Sequence, residues 1–475
     1  MILKIILNAS RRPCGAAQCR DNSSLQSILK EESRSKDQKM RLFSTKNLYR
    51  FHAYAGLWLG AHFMVLVITG FLLLFKPTPE FKSTSAVSAE TPAPSYTRIV
   101  GEAGARFPGE RLLSLFPDEE NARVLHLRLS PDGSGRFRNA RKLSFDLATG
   151  AELMSSVSET GFFPFLLRLH RDLLFGSTGK ILVGISGALL FLMLITGFLI
   201  YGRFRRGQAY DSIRFGSKPL VLADIHKWIS SAAGVWLLLV SFTGVLLAFN
   251  SLLIKLYQYQ NLKSLSLSYA GERTAETNAP LDLVIGNALG ARPGAALEFL
   301  AFPGTEFSLP GHYLLLLNRT TSFGGHVREL AVVEAATAKI AEVRELPLYL
   351  KALLLSEPLH FGDYGGLTLK ILWGAFAVVS FVMAIVGIWG WFAKRKHRRT
   401  PREKIRPKLL PIVKAKYPRY LAPILLGSFT LSGALLALFS EGFGDWLAYG
   451  LFAVPLAVLI YSGIKRFTEV RVGRG

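Results

Sequence analysis

Long uninterrupted apolar runs decide what this chain can fold into. Six of them come close to or pass the roughly 20 residues that a bilayer core of about 30 Å demands of a helix. They extend from Ala53 to Phe75, Gly179 to Tyr201, Trp228 to Phe249, Leu367 to Phe392, Leu421 to Phe439 and Trp446 to Ile464. A large soluble enzyme would spread its apolar residues in shorter runs.

The chain has 475 residues and a formal charge of +24, which would suit nucleic acid if the charge were spread over one surface. Instead the basic residues crowd into the N-terminal tail, the Arg203–Lys227 connection, the Lys394–Arg419 connection and the C-terminal tail. These are alternate connections, the pattern of positively charged cytoplasmic loops. Both termini are therefore expected in the cytoplasm, which requires an even number of spans. The segments Lys76 to Phe165 and Asn250 to Glu357 carry mixed charge and belong on the outer side. Basicity here reports topology, and the expected partner is the lipid bilayer, with no nucleic acid.

The chain also repeats itself. The first span begins His52-Ala-Tyr-Ala-Gly and ends Thr69-Gly70-Phe-Leu-Leu-Leu-Phe75; the third begins His226-Lys-Trp-Ile-Ser and ends Thr243-Gly244-Val-Leu-Leu-Ala-Phe249. In both, the His precedes the Thr by seventeen positions. The second and fourth spans match as well. Leu169-His170 leads through Lys180-Ile-Leu to Gly197, and Leu359-His360 through Lys370-Ile-Leu to Gly387, twenty-seven positions after the His in each case. Each half is a span, an outer segment and a span, and the last two spans stand outside the duplication. Both outer segments open with helical character (Tyr96–Phe107; Leu281–Ala291). Both continue with strand-like runs, among them Val124-Leu-His-Leu-Arg-Leu, Lys142–Asp146, Tyr313-Leu-Leu-Leu-Leu and Arg328–Val333. Small α+β modules are expected.

Four of the nine histidines fall at corresponding places in the repeat. His52 and His226 begin spans that leave the cytoplasm, and His170 and His360 precede spans that return to it. Two pairs, one near each face, are what two bis-histidine haems need. A lone His at a helix end is commonly an interfacial polar residue. The repeated offsets favour ligation, although copied residues are not independent observations. His62 lies ten residues into the first span, about 15 Å deeper than His52. It is a further candidate ligand, a hydrogen-bond donor or an interior histidine. His126, His312 and His326 fall in the outer segments as surface or strand residues, and His397 in a basic run as a solvated one.

The remaining motifs exclude rather than assign. Cys14 and Cys19 are the only cysteines and sit in the polar tail, which argues against a disulfide framework, a thiolate zinc site or an iron–sulfur cluster. No Cys-x-x-Cys-His occurs, so any haem is expected to be non-covalent haem b. Gly176-Ser-Thr-Gly-Lys180 lacks the first glycine of a phosphate-binding loop. Gly56, Gly60, Gly70, Gly184, Gly187, Gly197, Gly234, Gly244, Gly374 and Gly387 would let helices or a flat porphyrin approach closely. Trp58, Trp236 and Trp373 are open to stacking near a cofactor; Trp228, Trp389, Trp391 and Trp446 suit an interfacial belt. Met40, just before the first span, is an alternative start.

The repeated His…Thr-Gly and Leu-His…Gly spans resemble the PepSY-associated transmembrane family, which includes iron-regulated membrane proteins and siderophore reductases of the bacterial inner membrane. The resemblance covers about residues 48 to 395. Phe51-His52-Ala-Tyr-Ala-Gly56, Leu169-His170-Arg-Asp-Leu-Leu, Ile225-His226-Lys-Trp and Leu359-His360-Phe-Gly-Asp-Tyr-Gly-Gly carry it. It implies four core spans holding two haem b groups, with His52, His226, His170 and His360 as axial ligands to haem iron. It further implies electrons delivered outward to a ferric chelate or siderophore. A quinol or a flavoprotein is the expected donor. The fifth and sixth spans and the long tail depart from the family pattern.

The expected fold is an all-α membrane bundle of six predicted transmembrane helices, four in a duplicated core, with two small α+β PepSY-like extracytoplasmic modules. The expected division is a disordered basic tail (1–47), a first span (48–76), a first module (77–165) and a second span (166–202). A loop (203–225), a third span (226–250), a second module (251–357) and a fourth span (358–393) follow. A basic loop (394–420), a hairpin of the last two spans (421–464) and a cytoplasmic tail (465–475) complete it. The expected activity is that of a haem-dependent ferric reductase of the bacterial inner membrane. Two other classes remain open: a regulator whose outer modules bind a protein, and a transporter whose duplicated spans line a path.

Overall fold

The computed structural model describes residues 44–77, 81–83, 95–118, 121, 123–137, 139–155, 160–204, 210–215, 217–269, 277–320, 326–362, 364–399, 418, 420–439 and 442–472. Cys14, Cys19 and Met40 lie outside them, as does most of the basic tail. Six helices are long and apolar enough to cross a membrane. They are α1 (Thr45–Leu73), α4 (Gly176–Phe204), α5 (Lys218–Ala248), α10 (Gly366–Arg399), α11 (Leu421–Phe439) and α12 (Phe443–Val472). A helix satisfies its own backbone groups, which is why runs of this composition take that form in hydrocarbon.

The four duplicated spans form a ring: α1 packs on α4, α4 on α5, α5 on α10, and α10 back on α1. The odd spans α1 and α5 thus face each other diagonally. The α11–α12 hairpin packs outside the ring, chiefly on α5 and α10. Small residues make the hairpin close: a Cβ at Gly433 would lie 2.8 Å from Phe452 and one at Gly427 2.5 Å from Val235. Trp236, Trp373, Phe376 and Phe452 fill the junction between ring and hairpin. Trp58, open to stacking on sequence alone, is 78% exposed and points away from the bundle.

Between α1 and α4 the chain forms β1 (Phe81–Ser83), α2 (Tyr96–Arg106), β2 (Arg111–Pro117), β3 (Val124–Ser130), β4 (Arg141–Asp146), β5 (Glu152–Ser155) and α3 (Phe162–Asp172). Between α5 and α10 it forms α6 (Asn250–Tyr257), a π-helical turn (Gln258–Leu262), α7 (Lys263–Ser268) and α8 (Leu281–Gly290). The strands β6 (Ala295–Ala301), β7 (His312–Thr320), β8 (His326–Glu334) and β9 (Ile340–Glu345) and the helix α9 (Leu348–Phe361) then follow. The two segments do not stay separate. Their strands join in one nine-stranded antiparallel sheet of order β1-β5-β4-β3-β2-β6-β7-β8-β9. The seam is the β2–β6 pair, with Ser114 opposite Ala301 and Leu115 opposite Leu300.

Strand alternation gives the sheet two faces. One buries Leu115, Leu125, Leu127, Leu129, Leu300, Leu315 and Val333 beneath Ile99 and Ala103 of α2 and Val284, Ile285 and Ala288 of α8. On the other face, over the second half, Leu262 and Leu265 cover Ala301, Leu314 and Val332. Those two leucines belong to the segment that directly continues α5, so this face is on the side of the spans.

Candidate functional site: two imidazole pairs

Each half places one histidine at either end of the ring. At the end away from the sheet, the His52 and His226 rings lie 6.2 Å apart, centroid to centroid, at 69°. At the sheet end, His170 and His360 lie 6.1 Å apart at 59°. The sequence pairing is therefore the spatial pairing: each pair takes one histidine from each half.

The sheet-end histidines sit on short helices separate from the spans that follow. The α3 helix ends at Leu173 (φ 51°) and α9 at Gly362 (φ 66°), both left-handed. The next spans start at Gly176 (φ 57°) and Gly366 (φ 61°). These breaks hold His170 and His360 against the ring.

Every one of the four imidazoles is held through Nδ1. His52 Nδ1 donates to the Met193 carbonyl at 2.9 Å and His226 Nδ1 to the Met383 carbonyl at 3.0 Å. His360 Nδ1 donates to the Val240 carbonyl at 3.0 Å. His170 Nδ1 lies 2.9 Å from the Thr69 hydroxyl, which itself donates to the Val65 carbonyl. A carbonyl can only accept, so Nδ1 carries the proton and Nε2 keeps a lone pair. Among the described residues no hydrogen-bond partner reaches any of the four Nε2 atoms. Fixing one ring nitrogen on a carbonyl and leaving the other basic is how proteins prepare an imidazole to bind metal.

The repeated glycines take part. A Cβ at Gly197 would lie 2.8 Å from His52, at Gly387 3.0 Å from His226, at Gly70 3.1 Å from His170 and at Gly244 2.9 Å from His360. Within each half, the histidine of one arm lies on the glycine of the other. These four glycines, which the sequence leaves open to a neighbouring helix or a porphyrin, each lie against an imidazole.

Two imidazoles per site are too few to close a tetrahedral zinc site. Among the described residues no group of three or more His, Cys, Asp or Glu side chains could hold a metal. Such a pair suits a metal whose other ligands come from a macrocycle.

His62 joins neither pair. It is half-buried within α1, and its Nε2 is buried without a partner. Trp236, ten positions after His226 as His62 is after His52, has its indole N–H in the same state. Of the other histidines, His126 is buried on β3 between Ser144 and Asp118, and His312 is buried on β7. His397 is exposed near the end of α10, and the His326 side chain lies outside the described residues.

Fold and site together define a polytopic membrane protein with a duplicated four-span core, a paired histidine site at each end and a sheet domain built from both inter-span segments. The chain belongs to the family of the PepSY-associated TM region, whose model matches residues 49–394. It is also similar to an uncharacterised protein of Pseudomonas aeruginosa, 26% identical over 298 residues, which covers 57% of this chain and 74% of the relative.

Proposed function

We propose that this protein is a di-haem electron-transfer protein of the bacterial inner membrane that reduces a ferric chelate on the sheet side. The observation that carries the reading is the pair of diagonal imidazoles at each end of one bundle, each with Nδ1 fixed and Nε2 uncommitted. His52 and His226 hold one haem b, and His170 and His360 the other. When bound, haem supplies a one-electron iron couple whose potential the protein tunes by ligation and burial. The Met193, Met383 and Val240 carbonyls and the Thr69 and Thr243 hydroxyls orient the imidazoles. The sheet domain lies on the outer side, both termini are cytoplasmic, and a quinol or a flavoprotein is the donor. Reduction frees iron because hard oxygen chelators hold Fe(III) far better than Fe(II).

A visible spectrum of the detergent-purified protein, oxidised and dithionite-reduced, with a pyridine haemochrome assay tests the reading. Two b-type haems per chain are expected, and one in His170→Leu or His360→Leu. A protein without a Soret band after expression with ample haem would overturn it.

A further inference from the structure

The span-side face of the sheet is unequal in its two halves. Over the second half it is apolar and covered by Leu262 and Leu265. Over the first half it presents Phe116, His126, Arg128, Lys142 and Ser144, which the strand register puts on one face. Arg128 lies opposite Ser114 on β2 and opposite Lys142 on β4.

Three observations show this arrangement to be incomplete. Like charges directly opposite in an antiparallel pair destabilise it, and the Arg128–Lys142 pair is such a case. The half-buried Arg128 guanidinium, 5.1 Å over the Phe116 ring, meets no carboxylate or other acceptor among the described residues. The Lys142 ammonium lies over the same ring at 5.7 Å. Opposite Arg128 on β2, the Ser114 hydroxyl is wholly buried and has no partner. Other arginines on or beside the sheet are paired: Arg328 on β8 with Glu298, Arg141 on β4 with Glu110, and Arg292, just before β6, with Glu329. The nearby Asp118 is already taken up by His126. A half-buried cation without a counter-ion is costly, and desolvation pushes the Arg128 pKa down. An anion between Arg128 and Lys142 removes both costs and gives the guanidinium acceptors in its fork geometry.

We propose that Arg128 and Lys142, over Phe116 and beside Ser114, form the binding site for a negatively charged chelate of a trivalent metal, of the hydroxycarboxylate or catecholate class. This deepens the reading of the protein as a ferric reductase and rests on it for the metal. It selects anionic chelates over neutral or cationic hydroxamates.

The test uses the full-length, haem-loaded protein in detergent and gallium(III) citrate, an anionic chelate that cannot be reduced, titrated calorimetrically. Binding is expected in the wild type. It should weaken about tenfold or more in Arg128→Gln, the loss of charge-assisted hydrogen bonds, and further in Arg128→Gln with Lys142→Gln. Arg128→Lys keeps the charge but loses the fork and the planar stack on Phe116, so it should bind more weakly than the wild type and more tightly than Arg128→Gln. A gallium trishydroxamate should not compete. Unchanged Soret bands in the variants establish that the fold is intact. Absent binding in the wild type, or equal binding by wild type and the double variant, overturns the proposal. The two readings fail separately. Reduction of ferric citrate with the same KM in Arg128→Gln would sink the anion site and leave the reductase standing. Arg128-dependent gallium citrate binding by a protein that carries no haem would do the reverse.

Discussion

At the scale of the residue, the site rests on small groups as much as on histidines. Gly197 gives His52 its place, and a methyl there would stand 2.8 Å from the imidazole Cε1. Something must then move, and the ring is already tethered to the Met193 carbonyl. Gly197→Ala is therefore expected to lower haem content from two per chain to one, read by pyridine haemochrome. Gly234→Ala is the matched control, because nothing lies within 4 Å of a Cβ there. His62→Leu should keep both haems, since neither pair includes it; loss of one would make it a ligand. The ligand candidates were legible in the sequence because duplication marked them at equal offsets. Their supports were not. His52 and Met193 are 141 positions apart, and nothing local to either announces the contact. Thr69 and Thr243 were visible as part of a repeat, but their hydrogen bonds to His170 and His360 depend on how α3 and α9 fold back.

At the scale of the element, the helices and strands followed from periodicity, whereas their assembly did not. The runs at Val124, Lys142, Tyr313 and Arg328 lie in β3, β4, β7 and β8. That β2 and β6 pair edge to edge, making one sheet of two segments, is a tertiary choice: either edge strand alone looks complete in sequence. A second junction reinforces the seam. The Asp282 carboxylate, in the first turn of α8, accepts from the Tyr96 amide at 2.7 Å and the Ser95 hydroxyl at 2.8 Å, capping α2 of the other half. The Asp282 amide donates in return to the Thr97 hydroxyl at 3.1 Å. Desolvation raises the Asp282 pKa, but its hydrogen bonds to Thr97, Ser95 and the Tyr96 amide outweigh that and leave it below the carboxylate value of 3.8. A depressed native pKa contributes stability above the ordinary value and loses it as pH falls through the native one. Asp282→Asn should thus weaken the α2–α8 junction by about 1 to 2 kcal/mol at neutral pH. The deficit should shrink below about pH 4. Hydrogen exchange of the α2 amides, corrected for intrinsic rates, measures it; a pH-independent difference would assign the effect to geometry rather than charge.

At the scale of the whole molecule, two kinds of contact obey different rules. The supports of each imidazole come from its own half: His52 from α4, His170 from α1, His226 from α10 and His360 from α5. The imidazole pairs are formed between halves. A half on its own therefore keeps two well-oriented histidines at opposite ends of a two-span unit, and no pair. It also presents an unpaired strand edge, β2 or β6, where the sheet is cut. If the chain is divided between residues 204 and 210 and the halves are produced separately, neither should show a bis-imidazole haem spectrum. Production of both together should restore it, because the ring interfaces α4–α5 and α10–α1 and the β2–β6 seam all join the halves without a covalent link. A bis-imidazole spectrum from one half in monomeric form would contradict the cross-half pairing. The same spectrum from a half that has dimerised would not, since two copies of a half can reproduce the diagonal arrangement that the duplication builds into one chain. Size-exclusion of the separated halves, run beside the spectra, decides between these outcomes.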